Sequence, residues 1–133
     1  IANAPKFTDV KYREWYGKYV FAAYKTGIAQ GYGDQTFRPN QNVTRAEFLK
    51  MFLTAMLVPI TPFVSQDPYQ DVSVSDWFAP YVAYAKEKNI LPENTTNFRP
   101  DEEITRDEVA EILYRLMIVR ETKATAYNPQ LIQ

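Results

Sequence analysis

Phe37-Arg38-Pro39-Asn40-Gln41-Asn42-Val43-Thr44-Arg45-Ala46-Glu47-Phe48 returns 61 residues later as Phe98-Arg99-Pro100-Asp101-Glu102-Glu103-Ile104-Thr105-Arg106-Asp107-Glu108-Val109. Upstream of these stretches the spacing is 62: Phe7-Thr8-Asp9-Val10 answers to Tyr69-Gln70-Asp71-Val72. Trp15, Tyr19, Val20, Ala23 and Ile28 likewise answer to Trp77, Tyr81, Val82, Ala85 and Ile90, while Met56 answers to Met117 at the spacing of 61. Ordered matches of this kind mark an internal repeat, which has to be read before any secondary structure. The chain therefore divides into unit one, 7–56, a Pro-bearing linker, 57–68, unit two, 69–117, and a C-terminal tail, 118–133.

Each unit reads as helix, loop, helix. Trp15, Tyr19, Ala22 and Ala23 recur with helical spacing, as do Trp77, Tyr81, Tyr84 and Ala85, and each set predicts one apolar face. A second helix is expected to begin at Thr44 or Thr105. It carries Phe48, Met51, Phe52, Ala55 and Met56 in unit one, and Val109, Ile112, Leu113, Leu116 and Met117 in unit two. The loop of unit one holds Gly27, Gly31 and Gly33, where backbone with positive φ is cheap. No segment alternates long enough to argue for a sheet, so the fold class is all-α.

Composition removes most chemistry. Of 133 residues 46% are hydrophobic and 23% charged, far from the signature of disorder. There is no His and no Cys. Triads that use His, thiolate nucleophiles, disulfides and Cys or His zinc sites are thereby excluded within this chain. No cofactor is expected, and no metal site. A net charge of −1 gives no basic footprint for nucleic acid. The longest apolar stretch, 51–64, is too short to span a membrane and is broken by Pro59 and Pro62. A first residue of Ile1 reads as a processed product or a fragment.

Thr-x-x-Glu at the head of an apolar helical run is a capping box, which assigns Thr44, Glu47, Thr105 and Glu108 to helix capping. The Arg inside the box breaks the pattern. A cation in the first turn faces the positive end of the helix dipole, so Arg45 and Arg106 need a separate reason. One is a bound anion, held by the guanidinium fork together with free helix N–H groups. The other is an internal ion pair, for which Asp9 or Asp71 of a neighbouring unit are candidates. Arg38 and Arg99, just ahead of the same helix, add a second cation to each unit or are simply solvated. Trp15 and Trp77 are either packing aromatics or, if exposed, faces for a sugar ring. The sequons at Asn42 and Asn94 are discounted, the first because it overlaps the cap.

With these residues in place, the string from Gly27 to Asn40 followed by Val43-Thr44-Arg45-Ala46-Glu47-Phe48 resembles the S-layer homology (SLH) motif of bacterial surface proteins. Phe7-Thr8-Asp9-Val10 and Trp15 complete it, and unit two resembles the same motif over its whole length. The resemblance implies a non-catalytic anchoring module, secreted to the bacterial cell surface and bound to the wall. It implies tandem units set in a pseudo-threefold spindle with the second helices central, incomplete here because the family usually has three. It also implies binding of anionic, often pyruvylated, cell-wall polysaccharide in grooves between units, with Arg45, and Arg106 through Thr-Arg-Asp-Glu, contacting the carboxylate. Trp15, Arg38, Asp34 and Gly33 would support that contact in unit one, and Trp77 and Arg99 in unit two. Unit two departs from the pattern, with Asn89 and Glu93 where unit one has Gly27 and Gly31.

Two units where three are usual point to a homo-oligomer or to a partner chain that supplies the third. A protein-protein assembly module of the cell surface that binds no glycan is the alternative reading. An enzyme would need paired carboxylates across a cleft. Asp34 and Glu47 are the nearest pair, and Glu47 is already explained by the cap.

Overall fold

The structure is a computed structural model that describes residues 7–92 and 95–132, of Ile132 the backbone alone. Glu93 and Asn94 lie outside the described residues. Among these residues the chain is all-α, with α1 (Gly17–Lys25), α2 (Arg45–Ala55), α3 (Ala79–Glu87), α4 (Arg106–Thr122) and a final 3-10 turn, Pro129–Ile132. Among the described residues extended pairing is confined to two isolated antiparallel bridges, Thr44 with Glu103 and Tyr69 with Val72. Two compact units are formed, one from Ile1–Asn42 with Lys50–Val58 and one from Val43–Leu49 with Pro59–Gln133.

The first unit holds α1, its following loop and the later turns of α2. Phe7 meets Tyr24 and Phe37 with ring centroids 5.5 Å away in each case, and Val20, Phe52 and Leu53 are buried. Gly31 has φ +72° beside Phe7, and a Cβ there would meet the Thr36 carbonyl at 2.9 Å, so the loop closes only on a glycine.

The second unit holds the head of α2 together with α3, α4 and the tail. Its fully buried side chains include Leu49, Val72, Val82, Ile90, Ile112 and Leu116, each adding roughly 1.5–3 kcal/mol of hydrophobic stabilisation. Tyr127 from the tail donates its N–H to the Lys88 carbonyl (2.8 Å) and lies under the Arg115 guanidinium at 4.5 Å. Helix α4 runs five residues beyond the end of the repeat at Met117, because Ile118 and Val119 continue its buried face.

The end of the first helix is the same in both repeats. Ile28 N donates to Ala23 O (2.9 Å) as Ile90 N does to Ala85 O (3.1 Å), and Gly27 N to Tyr24 O as Asn89 N to Lys86 O (3.1 Å each). Gly27 sits at φ 81° and Asn89 at φ 54°, the left-handed conformation that this helix end requires. Asn is the non-glycine residue best suited to it. The exchange of Gly27 for Asn89, a departure from the pattern in sequence, therefore leaves the backbone of the turn intact.

Candidate functional site

Both helices before the loops begin later than their apolar spacing suggests. The structure starts α1 at Gly17 and α3 at Ala79, leaving Trp15 and Trp77 in the preceding turns. Each Trp stacks edge-on against the next residue, Trp15 on Tyr16 (5.5 Å) and Trp77 on Phe78 (5.2 Å), and both face solvent, 78% and 57% exposed. Tyr19 is exposed as well, so the face expected to be buried in α1 is carried by Gly17 and Val20 instead.

The Asp of each repeat opening ties down the loop before the second helix. Asp9 accepts the amides of Phe37 (2.9 Å) and Arg38 (2.7 Å), and Asp71 those of Phe98 and Arg99 (2.8 Å each). These bonds hold Arg38 at φ 59° and Arg99 at φ 63°. The Phe37 amide is the main reason the Asp9 carboxyl lies below its ordinary range. This role was not read from the sequence, although the return of Asp9 as Asp71, with Val10 as Val72, in a tetrapeptide whose first two residues differ was a visible signal.

The Arg38 guanidinium lies 3.8 Å from the centre of the Tyr32 ring and 3.3 Å from Asp34. Asp34 also accepts the Thr36 hydroxyl at 2.5 Å, the largest of the contacts that lower its pKa. Gly33 differs from Gly27 and Gly31: its φ is not positive and a Cβ there would meet nothing within 4 Å. Packing gives no reason for a glycine at 33, and the loop is open on that side. Arg99 pairs with Glu102 at 2.9 Å.

Arg45 is buried, at 5% exposure. Its Nε donates to the Phe98 carbonyl (2.9 Å), its Nη1 pairs with Glu108 Oε2, and the guanidinium lies over the Phe98 ring at 5.1 Å. Arg99 adds a second cation 3.8 Å from the same Glu108 oxygen. The internal partner is thus Glu108, where the sequence offered Asp9 or Asp71; both of those are engaged by loop amides. Both capping boxes are present. Thr44 N donates to Glu47 Oε1 (2.9 Å) and Glu47 N to Thr44 Oγ1 (3.1 Å), while Thr105 N donates to Glu108 Oε1 (3.2 Å). Glu108 therefore caps α4 with one oxygen and meets Arg45 with the other. The equivalent Arg106 is exposed and makes no ion pair among the described residues.

A groove of about 640 Å³ in the second unit is lined by Pro59, Phe63, Pro68, Pro80, Tyr84 and Lys86 among others, and by none of the residues expected to bind ligand. Among the described residues no helix is long and apolar enough to cross a membrane, and no group of three His, Cys, Asp or Glu could hold a metal ion.

The family model described as S-layer homology domain matches residues 6–49 and 68–110, the two repeats. The chain belongs to this family. SLH domains are non-catalytic anchoring modules of the bacterial cell surface and bind cell-wall polymer in general, which places this chain at the cell surface. It is 30% identical over 109 residues to an amylopullulanase of Thermoanaerobacterium thermosulfurigenes, covering 82% of this chain and 6% of that protein. It is 32% identical over 93 residues to cell surface glycoprotein 1 of Acetivibrio thermocellus, covering 66% of this chain and 4% of that protein. A surface-layer 125 kDa protein of Lysinibacillus sphaericus is 29% identical over 115 residues, covering 85% of this chain and 10% of that one. The SLH chain therefore spans a tenth or less of the length of these relatives.

Proposed function

We propose that this SLH module anchors at the cell surface by binding an anionic cell-wall polysaccharide, with a pyruvyl ketal carboxylate as the charged group it recognises. The observation that carries the reading is the pair of tryptophans, Trp15 and Trp77, left in solvent at the same place in each repeat. Burying an aromatic of that size is strongly favourable, so two repeats that both leave it out present a face for a partner. A sugar ring, apolar on its face and polar at its edge, fits such a partner. Arg38, held over Tyr32 and beside Asp34, adds oriented donors, and Gly33 leaves the backbone open to approach. In the second repeat Arg99 supplies the corresponding cation.

Arg45 enters this reading only as far as Glu108 yields it, because a ligand carboxylate would have to take the place that Glu108 holds. That occupancy favours the second reading, an assembly module that binds no glycan. A pull-down with purified sacculi separates the two. The parent chain is expected to sediment with sacculi and the Trp15→Ala/Trp77→Ala double variant to lose roughly tenfold or more in affinity, with its melting curve unchanged. A double variant that binds as the parent does removes the tryptophan reading, and a parent that does not bind leaves the assembly module.

A further inference from the structure

Residues 43–46 of the first repeat run along residues 98–104 of the second and form a seam inside the second compact unit. Arg45 N donates to the Glu102 carbonyl (2.8 Å), Ala46 N to Pro100 (3.1 Å), and Ile104 N to Val43 (3.1 Å). Thr44 bridges Glu103, and Arg45 Nε reaches the Phe98 carbonyl at 2.9 Å. The first amides of a helix have no partner within it. In α2 they are satisfied by a loop of the other repeat.

Sixty-one residues on, Ile104-Thr105-Arg106-Asp107 is the same head on α4. Arg45 and Ala46 are buried, whereas Arg106 and Asp107 are exposed, and among the described residues no acceptor meets their amides. The loop that would receive such a head also exists a second time, in the first unit. Arg38 N and Phe37 N are bracketed by Asp9 as Arg99 N and Phe98 N are by Asp71. Arg38 repeats the left-handed φ of Arg99, 59° against 63°, and Gln41 N→Arg38 O (3.1 Å) repeats Glu102 N→Arg99 O (3.3 Å). The carbonyls of Phe37, Pro39 and Gln41 are therefore arranged within their loop as those of Phe98, Pro100 and Glu102 are in theirs. Phe98 and Pro100 are buried, but Phe37 and Pro39 are only half-buried. Among the described residues, then, one such head is exposed and one loop of matching design is only half-buried.

We propose that these two surfaces mate between copies of the chain, the head of α4 docking on the 37–42 loop of a second molecule. Arg106 N then donates to Gln41 O, Asp107 N to Pro39 O, and the Arg106 guanidinium to Phe37 O. The Asp107 carboxylate accepts the Thr105 hydroxyl at 2.6 Å and so is engaged at its own helix start. The contact is head-to-tail, and such contacts close into rings or continue as filaments. It does not rest on the glycan reading.

Sedimentation equilibrium of the full chain over a wide range of concentration, without wall material, tests it. The mass should rise with concentration above that of one chain. Arg106→Glu removes the donor cation. Arg106→Pro removes both the cation and the amide at a position where Pro suits a helix start, and Thr105 already has the extended backbone, φ −96° and ψ 161°, that a following Pro demands. Each variant should keep the parent's helicity and weaken association roughly tenfold to a hundredfold, the scale of a charge-assisted hydrogen bond. A parent that stays monomeric throughout, or folded variants that associate as it does, overturns the proposal. Either failure leaves the sacculus result untouched.

Discussion

Replacing Arg45 by Met tests whether the buried guanidinium holds the second unit together. Met fills much of the space of the Arg stem and brings no charge, so the loss reports the polar contacts. Two are removed. The buried Phe98 carbonyl loses its bond from Arg45 Nε, a cost of about 1–3 kcal/mol for a buried acceptor left alone. Glu108 loses its close cation, and breaking one side of a buried ion pair costs about 3–5 kcal/mol. The second figure must be reduced. The Glu108 side chain is 14% exposed, keeps Arg99 at 3.8 Å, and retains its cap bond from Thr105. Taken together about 3–4 kcal/mol is expected, a large part of the 5–15 kcal/mol that a domain usually has. Urea unfolding would show a midpoint lower by more than about 1 M at unchanged m. Glu108→Gln keeps a cap acceptor but removes the charge, and the double variant should recover about 1.5–3 kcal/mol of the summed losses. An Arg45→Met loss below about 1 kcal/mol, or single variants that add without coupling, would refute the reasoning.

Asp71→Ala removes two bonds to loop amides and should cost about 2–3 kcal/mol by the same urea assay, with Asp71→Asn intermediate; an unchanged midpoint would mean the bracket contributes nothing. Asp9 and Asp34 have folded pKa values below the ordinary 3.8, so the stability they confer is complete above that value and is lost as pH falls through the depressed values. Tm should therefore fall as the pH drops below the ordinary carboxylate value of 3.8, less steeply in Asp9→Asn, and equal slopes would count against the Asp9 bracket. Gly31→Ala forces a Cβ onto φ +72° against the Thr36 carbonyl and should cost about 2 kcal/mol or more, measured as a lowered Tm. Gly33→Ala meets open space and should be nearly neutral for folding.

What the sequence made legible was local or periodic. The two Thr-x-x-Glu boxes placed the starts of α2 and α4 correctly because capping is settled within four residues. The repeat spacing revealed the family, because Asp9, Trp15, Arg38 and Arg45 all recur in order. Apolar spacing served less well. It marked Trp15 and Tyr19 as a face but could not say whether that face meets a core, and the structure leaves both in solvent. It passed over Leu49 and Leu53, which are almost wholly buried, because α2 is apolar nearly all round. The partner of Arg45 was hidden for another reason. Glu108 stands 63 residues away and already had a local explanation as a cap, so its second oxygen went unassigned. Asn89 shows the reverse case, where a changed letter preserves a backbone conformation that Gly27 also adopts.

The central claim is that this SLH module holds to the wall through its polysaccharide. Its most direct test is co-sedimentation with sacculi before and after the polysaccharide has been extracted by acid. The account predicts that the chain pellets with intact sacculi, stays in solution with extracted ones, and is competed off by the released polysaccharide. Equal binding to extracted sacculi, or no binding to either preparation, would contradict it.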